Sequence, residues 1–469
     1  MSETGNPPDR VGNPPEISSL GSRAVHGSLY QVAASLVTLA LGLARSLILA
    51  RLLAPECFGI VALGLLYVGL ASRLRDLGLD MAIIHRQDVD ERWRGTYFAL
   101  RVGSDALAMG LLLAVSPLLQ RAYPAVPGLA AILPALILAY FLATLSQVQE
   151  TLLRKKLAFG ASATIDLAAS VAMTVIAPFL AWRGWGVWAL VAEQLSGLGT
   201  RFLLSWGPFR SWQPRLHWDP AAVRWFWRFG RPTWVATNVG YLLDSLDNFW
   251  VGTTLGDLAL GYYARAFDFA RYPRRVFANP LASVLGPVFA RVQGDRRQLS
   301  QLFYRSAHLV LRSSMLVGGA LTLAMPELIR FVIGAKWLPM LTAFRLLLLY
   351  MAVDSPLMLL ENMLAAVGRP RDVQRARQIQ LAFFFPAVIL GAWVAGINGV
   401  AMAASGMLLV GAWVLYRKAR QVVDFSLLRL AGWPLVALAV AWSAGYAVEV
   451  RIAASLWSGL ALKLGLFVG

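Results

Sequence analysis

"LLAPECFGIVA" (52–62) and "TLGDLALGYYA" (254–264) align at an offset of 202 residues, with Leu53 against Leu255, Gly59 against Gly261 and Ala62 against Ala264. Further along, Glu150 and Leu153 in "ETLL" match Glu361 and Leu364 in "ENML" at a slightly larger offset, which insertions account for. Self-similarity at a fixed spacing marks a duplicated architecture. Composition says what is duplicated. The 469 residues are 58% hydrophobic and 14% charged, where a soluble domain would carry roughly 25% charged residues. Apolar runs of about 18 residues or more recur along the chain, which reads as an all-α polytopic membrane protein of about 14 helices.

The runs fall at 26–50, 57–77, 95–119, 129–152, 158–181 and 185–206, then at 232–253, 258–288, 301–323, 339–364, 374–395 and 397–416, and last at 428–447 and 451–469. Two sets of six therefore flank the longest connection, 207–231. The expected organisation is a tail over 1–22, rich in Pro, Gly and Ser and lacking an apolar core; an N-lobe over 23–206; a linker over 207–231; a C-lobe over 232–418; and two further helices within 419–469. Each half has an even number of helices, so both have the same orientation and the pseudo-twofold axis runs along the membrane normal. The eighth run holds "ARYPRRVFANP" and predicts a break near Pro273 or Pro280.

Connections after even-numbered helices carry "HRQDVDERWR", "RKK", six Arg from Arg201 to Arg231, "RVQGDRR", "RPRDVQRAR" and "RKAR". They hold about 23 Lys and Arg against about six on the other side, which puts both termini in the cytoplasm. This bias also explains the net charge of +18 without nucleic acid. In "WDPAAVRWFWRFGRP" (218–232), Asp219 suits a cap and Pro220 a first turn, predicting a separate helix on the cytoplasmic interface. Trp182, Trp185 and Trp188 mark the opposite interface. The single Cys57 excludes an intramolecular disulfide, and His26, His85, His217 and His308 have no ligand spacing, so no metal site is expected. No G-x-x-x-x-G-K-[ST] motif occurs, which leaves an ion gradient or substrate flux as the energy source.

A charged side chain at a helix centre costs roughly 2.5–3.5 kcal/mol by insertion scales, so intramembrane charges are functional candidates. The cations are Arg45, Arg101, Arg265, Arg271, Arg274, Arg275, Arg312 and Arg345. The acids are Asp76, Asp80, Asp105, Asp166, Glu193, Asp244, Asp247, Asp268, Asp354 and Glu361. Arg265, Asp268 and Arg271 with Arg275 share one helical face, where Asp268 would hold the guanidiniums in place. Alternatively Arg271, Arg274 and Arg275 meet lipid headgroups. Asp76 and Asp80 read as a gate or as a helix-end network. Asp166, Asp105 and Glu193 read as a proton or sodium site, or as acids packed on a Ser, Thr or Arg neighbour. Tyr262, Tyr263, Phe267 and Phe269 would stack on sugar rings or fill the core. By the repeat, Asp247 corresponds to Arg45, which predicts that the two approach across the cavity when the outer side closes; the alternative is pairing within each lobe. Asp244, one turn away and without a cation near it in sequence, is the candidate for coupling to H+ or Na+.

"ARLLAPECFGIVAL" (50–63), "LRDLGLDMAIIHRQ" (74–87), "LLRKKLAFG" (152–160), "LDNFWVGTTLGDLALGYYARAFDFARYP" (246–273) and "FVIGAKW" (331–337) occur in an order that resembles the Wzx-type oligosaccharide flippases of bacterial surface-polysaccharide synthesis. These belong to the superfamily that also holds multidrug antiporters and lipid II flippases. The resemblance covers about residues 25 to 460. It implies two six-helix lobes around a cavity in the bacterial inner membrane. It also implies a lipid-linked oligosaccharide of the polyprenyl-diphosphate type as substrate, moved to the outer leaflet, with membrane lipids and the polysaccharide-synthesis machinery as partners. On that implication Arg45, Arg265, Asp268, Arg271, Arg274, Arg275, Arg312 and Arg345 are substrate candidates, since Arg binds phosphate bidentately. Asp244, Asp247, Asp76, Asp80, Asp166, Glu193 and Asp354 are gating or coupling candidates. The rivals are an ion-coupled drug or metabolite antiporter of the same superfamily and, further off, a membrane glycosyltransferase or polymerase. The outer connections are short, and the longest, about 324–338, has Glu327 as its only acid, which argues against an enzyme.

Overall fold

The computed structural model describes residues 17–426, with 77, 87, 125 and 157 excepted, and residues 430, 432 and 436. Among the described residues the chain is helical and has no strand. The first lobe comprises α1 (Ile17–Leu52), α2 (Pro55–Arg75), a short α3 (Leu79–His85), α4 (Glu91–Ala122), α5 (Leu129–Lys155), α6 (Phe159–Trp182) and α7 (Val187–Trp206). The second comprises α8 (Pro220–Thr254), α9 (Gly256–Ala270), a π-helical turn (Arg274–Ala278), α10 (Asn279–Arg291), α11 (Arg296–Glu327), α12 (Leu341–Ala366) and α13 (Pro370–Ala419). Eight of the described helices are long and apolar enough to cross a membrane. The expected spans at α7, α8 and α9–α10 are not among them. Polar side chains such as Glu193, Gln194 and Arg201 on α7 dilute their apolar runs.

Local chemistry sets the boundaries. Pro55 opens α2 after an extended Ala54. The carboxylate of Asp90 accepts from Trp93 N at 2.9 Å to start α4, and that of Asp295 accepts from Arg297 N and Gln298 N at 2.8 and 3.0 Å to start α11. The predicted break in the eighth run lies at the π-helical turn that follows Pro273. The eleventh and twelfth runs are two helices, as expected, and α13 comprises both: Ala395 and Gly396 leave helical geometry, with Gly396 at φ 56°, and the chain reverses there so that Gly391 packs on Gly399 and Gln380 on Gly411.

Three expectations change. Residues 17–22, assigned to the tail, already belong to α1. The short α3 was not expected. The helix assigned to the 207–231 linker is not separate: it is the first half of α8, continuous with the seventh run. Asp219 does cap it, accepting from Ala221 N at 2.8 Å. Its aromatic residues divide between two roles. Phe226 is 1% exposed and packs with Trp93, Tyr97 and Trp225 of the basic end of the bundle, while Trp227 is 56% exposed. Gln149 of α5 clamps the preceding loop, donating to Trp212 O at 2.7 Å and accepting from Ser211 N and Trp212 N. The runs at 428–447 and 451–469, and residues 1–16, lie outside the described residues but for the three named above.

The lobes meet where α2 packs on α8 and α9. At the far end from the basic loops, Gly59 of α2 crosses Gly261 of α9. A Cβ on Gly59 would overlap the Asp257 carbonyl, and one on Gly261 would overlap the Pro55 carbonyl. Toward the basic end, Tyr241 of α8 donates to Leu66 O at 2.7 Å and Trp234 to Leu74 O at 2.8 Å.

Gly59→Ala and Gly261→Ala must push the two backbones apart, and each is expected to lower the melting temperature of the purified protein by several degrees. Gly103→Ala, an exposed helical position with open space around it, is the control and should hold or slightly raise it. Unchanged melting of Gly59→Ala would show that the crossing is looser than described.

Candidate functional site

A cavity of about 1000 Å³ lies between the lobes, at the upper end of the range for small-molecule pockets. Arg45 and Ser46 of α1, Phe58 of α2, Asp166 of α6, and Glu193, Gln194 and Arg201 of α7 line one side. Asn248 of α8 and Arg265, Asp268, Arg271 and Arg275 on and after α9 line the other. The cavity thus gathers Arg45, Arg265, Asp268, Arg271, Arg275, Asp166 and Glu193, seven of the residues singled out in sequence. Its α1 flank also holds Leu36, an apolar side chain that is 57% exposed.

On the α9 side, Asp268 is clasped by two guanidiniums, Arg265 at 3.3 Å and Arg275 at 2.8 Å, as the spacing predicts. Arg265 also reaches the other lobe, donating to Ser46 Oγ at 2.8 Å and lying 4.0 Å from the Phe58 ring centre. Arg271 lies 5.0 Å from the Phe267 ring centre and is in no ion pair among the described residues. On the α7 side, Arg45 donates to Glu193 at 2.7 Å and to Thr174 Oγ1 at 3.2 Å. Arg201 pairs with Asp166, and with Glu150 at 3.2 Å. Arg201 was counted among loop cations; it is five residues inside the end of α7, and only the helix boundary could have placed it in the cavity.

Other candidates lie elsewhere. The Arg45–Asp247 pair is not formed, although the lobes are closed at that end by the Gly59–Gly261 crossing. Asp247 is 3% exposed and accepts from the Tyr263 hydroxyl at 2.7 Å and from Asn248 N. Asp244 is exposed, not buried in the helix packing, and makes no ion pair among the described residues. Asp354 is paired with Arg274 inside the second lobe. Arg312 is exposed, and neither it nor Arg345 lines the cavity. Asp76 and Asp80 form a helix-end network: Arg101 reaches them at 3.0 and 3.4 Å, and Tyr97 donates to Asp80 at 2.6 Å. Asp105 pairs with Arg75 in the same lobe. Tyr263 and Phe269 are core side chains, 0% and 3% exposed.

The closed end carries a second contact, made by the "GAKW" stretch. The last carbonyls of a helix have no partner within it. Trp337, 0% exposed, donates to Ala50 O at 2.8 Å at the end of α1. Lys336 donates to Arg51 O at 3.0 Å and Leu53 O at 2.6 Å, a cation where the helix dipole favours one. The Trp337 ring meets Phe58 edge-on at 5.3 Å. Trp337→Phe keeps the ring and removes the hydrogen bond. With Lys336→Ala, it should open this end more often and raise the rate at which a membrane-impermeant maleimide labels the half-buried Cys57, by about tenfold for a loss near 1.4 kcal/mol. An unchanged labelling rate would remove these residues from the closure.

Residues 48–342 match the family model described as "Polysaccharide biosynthesis protein". The chain is 26% identical over 400 residues to the lipopolysaccharide biosynthesis protein WzxC of Escherichia coli K12, covering 84% of this chain and 79% of that one. It is 25% identical over 350 residues to the teichuronic acid biosynthesis protein TuaB of Bacillus subtilis 168, covering 73% and 69%. Its fold is similar to that of the lipid II flippase MurJ in an inward closed conformation, with a TM-score of 0.77 at 14% identity, covering 94% of this chain and 96% of that one. The all-helical two-lobed fold and the flippase-like order of sequence segments therefore agree with the family match, and the chain belongs to the polysaccharide biosynthesis protein family.

Proposed function

We propose that the protein translocates a polyprenyl-diphosphate-linked oligosaccharide from the cytoplasmic to the outer leaflet of the bacterial inner membrane, by alternating access and without altering it chemically. The observation that carries this reading is the charge of the α9 side of the cavity: three cations, Arg265, Arg271 and Arg275, stand with one carboxylate, Asp268, which Arg265 and Arg275 clasp. A surplus of two positive charges, with Leu36, Leu39 and Leu49 among the α1 residues of the same cavity, suits a diphosphate attached to a lipid tail. On the charge bias of the loops, the Gly59–Gly261 end is the outer side and both termini are cytoplasmic. The described state is then closed outward. A proton or sodium gradient, or substrate flux, would drive the return. The synthesis machinery that loads the substrate would meet the basic face.

Deletion of the gene should accumulate completed oligosaccharide-lipid facing the cytoplasm, and the wild-type gene should clear it. Arg271→Ala should clear it at least tenfold more slowly, because a charged hydrogen bond to phosphate contributes about 1.5–3 kcal/mol. Normal surface polysaccharide with altered drug tolerance in the deletion strain would instead assign the antiporter activity.

A further inference from the structure

The two sides of the cavity differ in charge. The α9 side has three cations and one acid. On the α7 side both cations are matched: Arg45 by Glu193, and Arg201 by Asp166 together with Glu150. The α7 side therefore has no surplus positive charge for a phosphate. It is nevertheless polar and reachable, with side-chain exposures of 13% for Arg45, 15% for Glu193, 30% for Arg201 and 33% for Asp166. Arg201 lies eight residues beyond Glu193, about 12 Å along α7, and Gln194 lines the cavity as well. Gly197, on the turn between, is buried against Met173 of α6 and keeps α7 close to that helix.

An arginine–carboxylate pair keeps hydrogen-bonding capacity after the pair has formed. Arginine has five N–H donors and a carboxylate about four acceptor sites. Among the described residues Arg45 uses Nε and Nη1 and Glu193 uses Oε1, which leaves Arg45 Nη2 and Glu193 Oε2 for a ligand. Donors and acceptors held side by side, with no net charge, complement hydroxyl groups, each of which donates once and accepts twice. Two such pairs about 12 Å apart extend past a single sugar ring.

Resting on the flippase reading above, we propose that Arg45–Glu193, Gln194 and Arg201–Asp166 form a glycan subsite that hydrogen-bonds the hydroxyls of the sugar chain, while the Arg271 side holds the phosphates. The α7 side thereby discriminates among glycans, and the α9 side takes the diphosphate whatever the glycan.

The test is binding to full-length protein in nanodiscs with two probes: undecaprenyl diphosphate with no sugar, and the oligosaccharide-lipid extracted from the deletion strain. Glu193→Gln combined with Asp166→Asn, and separately Gln194→Ala, should weaken the oligosaccharide-lipid by about tenfold without weakening undecaprenyl diphosphate, which the positive charge freed in the double variant can only favour. Gln194→Ala breaks no ion pair, so it keeps the test open if the double variant fails to fold. Arg271→Ala should weaken both probes. Equal weakening of both probes by the α7 variants, or no weakening of either, overturns the glycan subsite. Wild-type protein that binds neither probe overturns the flippase reading and the subsite with it. Wild-type binding with no effect of Arg271→Ala overturns the assignment of the phosphates to α9.

Discussion

Gly59 and Gly261 let two helix backbones touch, and the geometry of the cavity depends on that contact. α2 and α9 lean together at one end because neither has a Cβ at the crossing. Between helices in lipid there is little hydrophobic drive, so close backbone approach and the van der Waals contact it permits carry much of the association. From the crossing, α9 runs away from the closed end and brings Arg265, Asp268 and Arg271 opposite α1 and α7. A bulkier residue at either glycine would widen the closed end and alter the separation of the two charged sides at once.

The second organising constraint is the cost of charge in a medium of low polarity. The chain meets it by sorting its ions into two sets. Arg75 with Asp105, Arg274 with Asp354 and Arg377 with Glu361 pair inside one lobe or the other. Arg75 and Asp105 are buried, and breaking that pair strands the remaining charge; the other two pairs are partly exposed and join helices at lower cost. The other set faces the cavity, where water or a ligand shares the cost of solvation. Both sets consist of Arg, Asp and Glu on apolar helices, and residue type alone does not separate them.

That explains how far the sequence carried. The helices, the break after Pro273 and the clasp on Asp268 were legible because each depends on neighbours within a few residues. The matched glycines of the repeat were legible as equivalents, though not as a contact. The pairing of Arg45 was not, for a geometric reason. A pseudo-twofold axis places equivalent residues at equal distances from itself, so only residues on the axis meet their own equivalents. Gly59 and Gly261 lie on it and touch. Arg45 and Asp247 lie off it, and each finds a partner in its own lobe, Glu193 for one and Tyr263 for the other. The continuity of α8 was hidden for a related reason. The polar and aromatic composition of 218–232 suits a membrane interface, but Phe226 finds a better environment against Trp93 and Tyr97.

Arg265 links the two constraints. Its guanidinium lines the cavity, shares Asp268 with Arg275, and holds Ser46 and Phe58 of the opposite lobe. These contacts draw on the same five N–H groups and one ring-facing charge. Ser46 and Asp268 both take Nη1, and an anion that takes an Nη1–H competes with the Ser46 hydroxyl, a neutral acceptor and the weaker of the two. Occupancy of the α9 side and adhesion between the lobes are therefore not independent. Lys336 and Trp337 cap the end of α1 from outside the cavity, beyond the reach of that competition, so the closed end retains a contact that an anion on Arg265 does not touch. Besides the Gly59–Gly261 crossing, closure at this end is held by two contacts of different chemistry, one sensitive to what the cavity contains and one set by the unpaired carbonyls of a helix terminus.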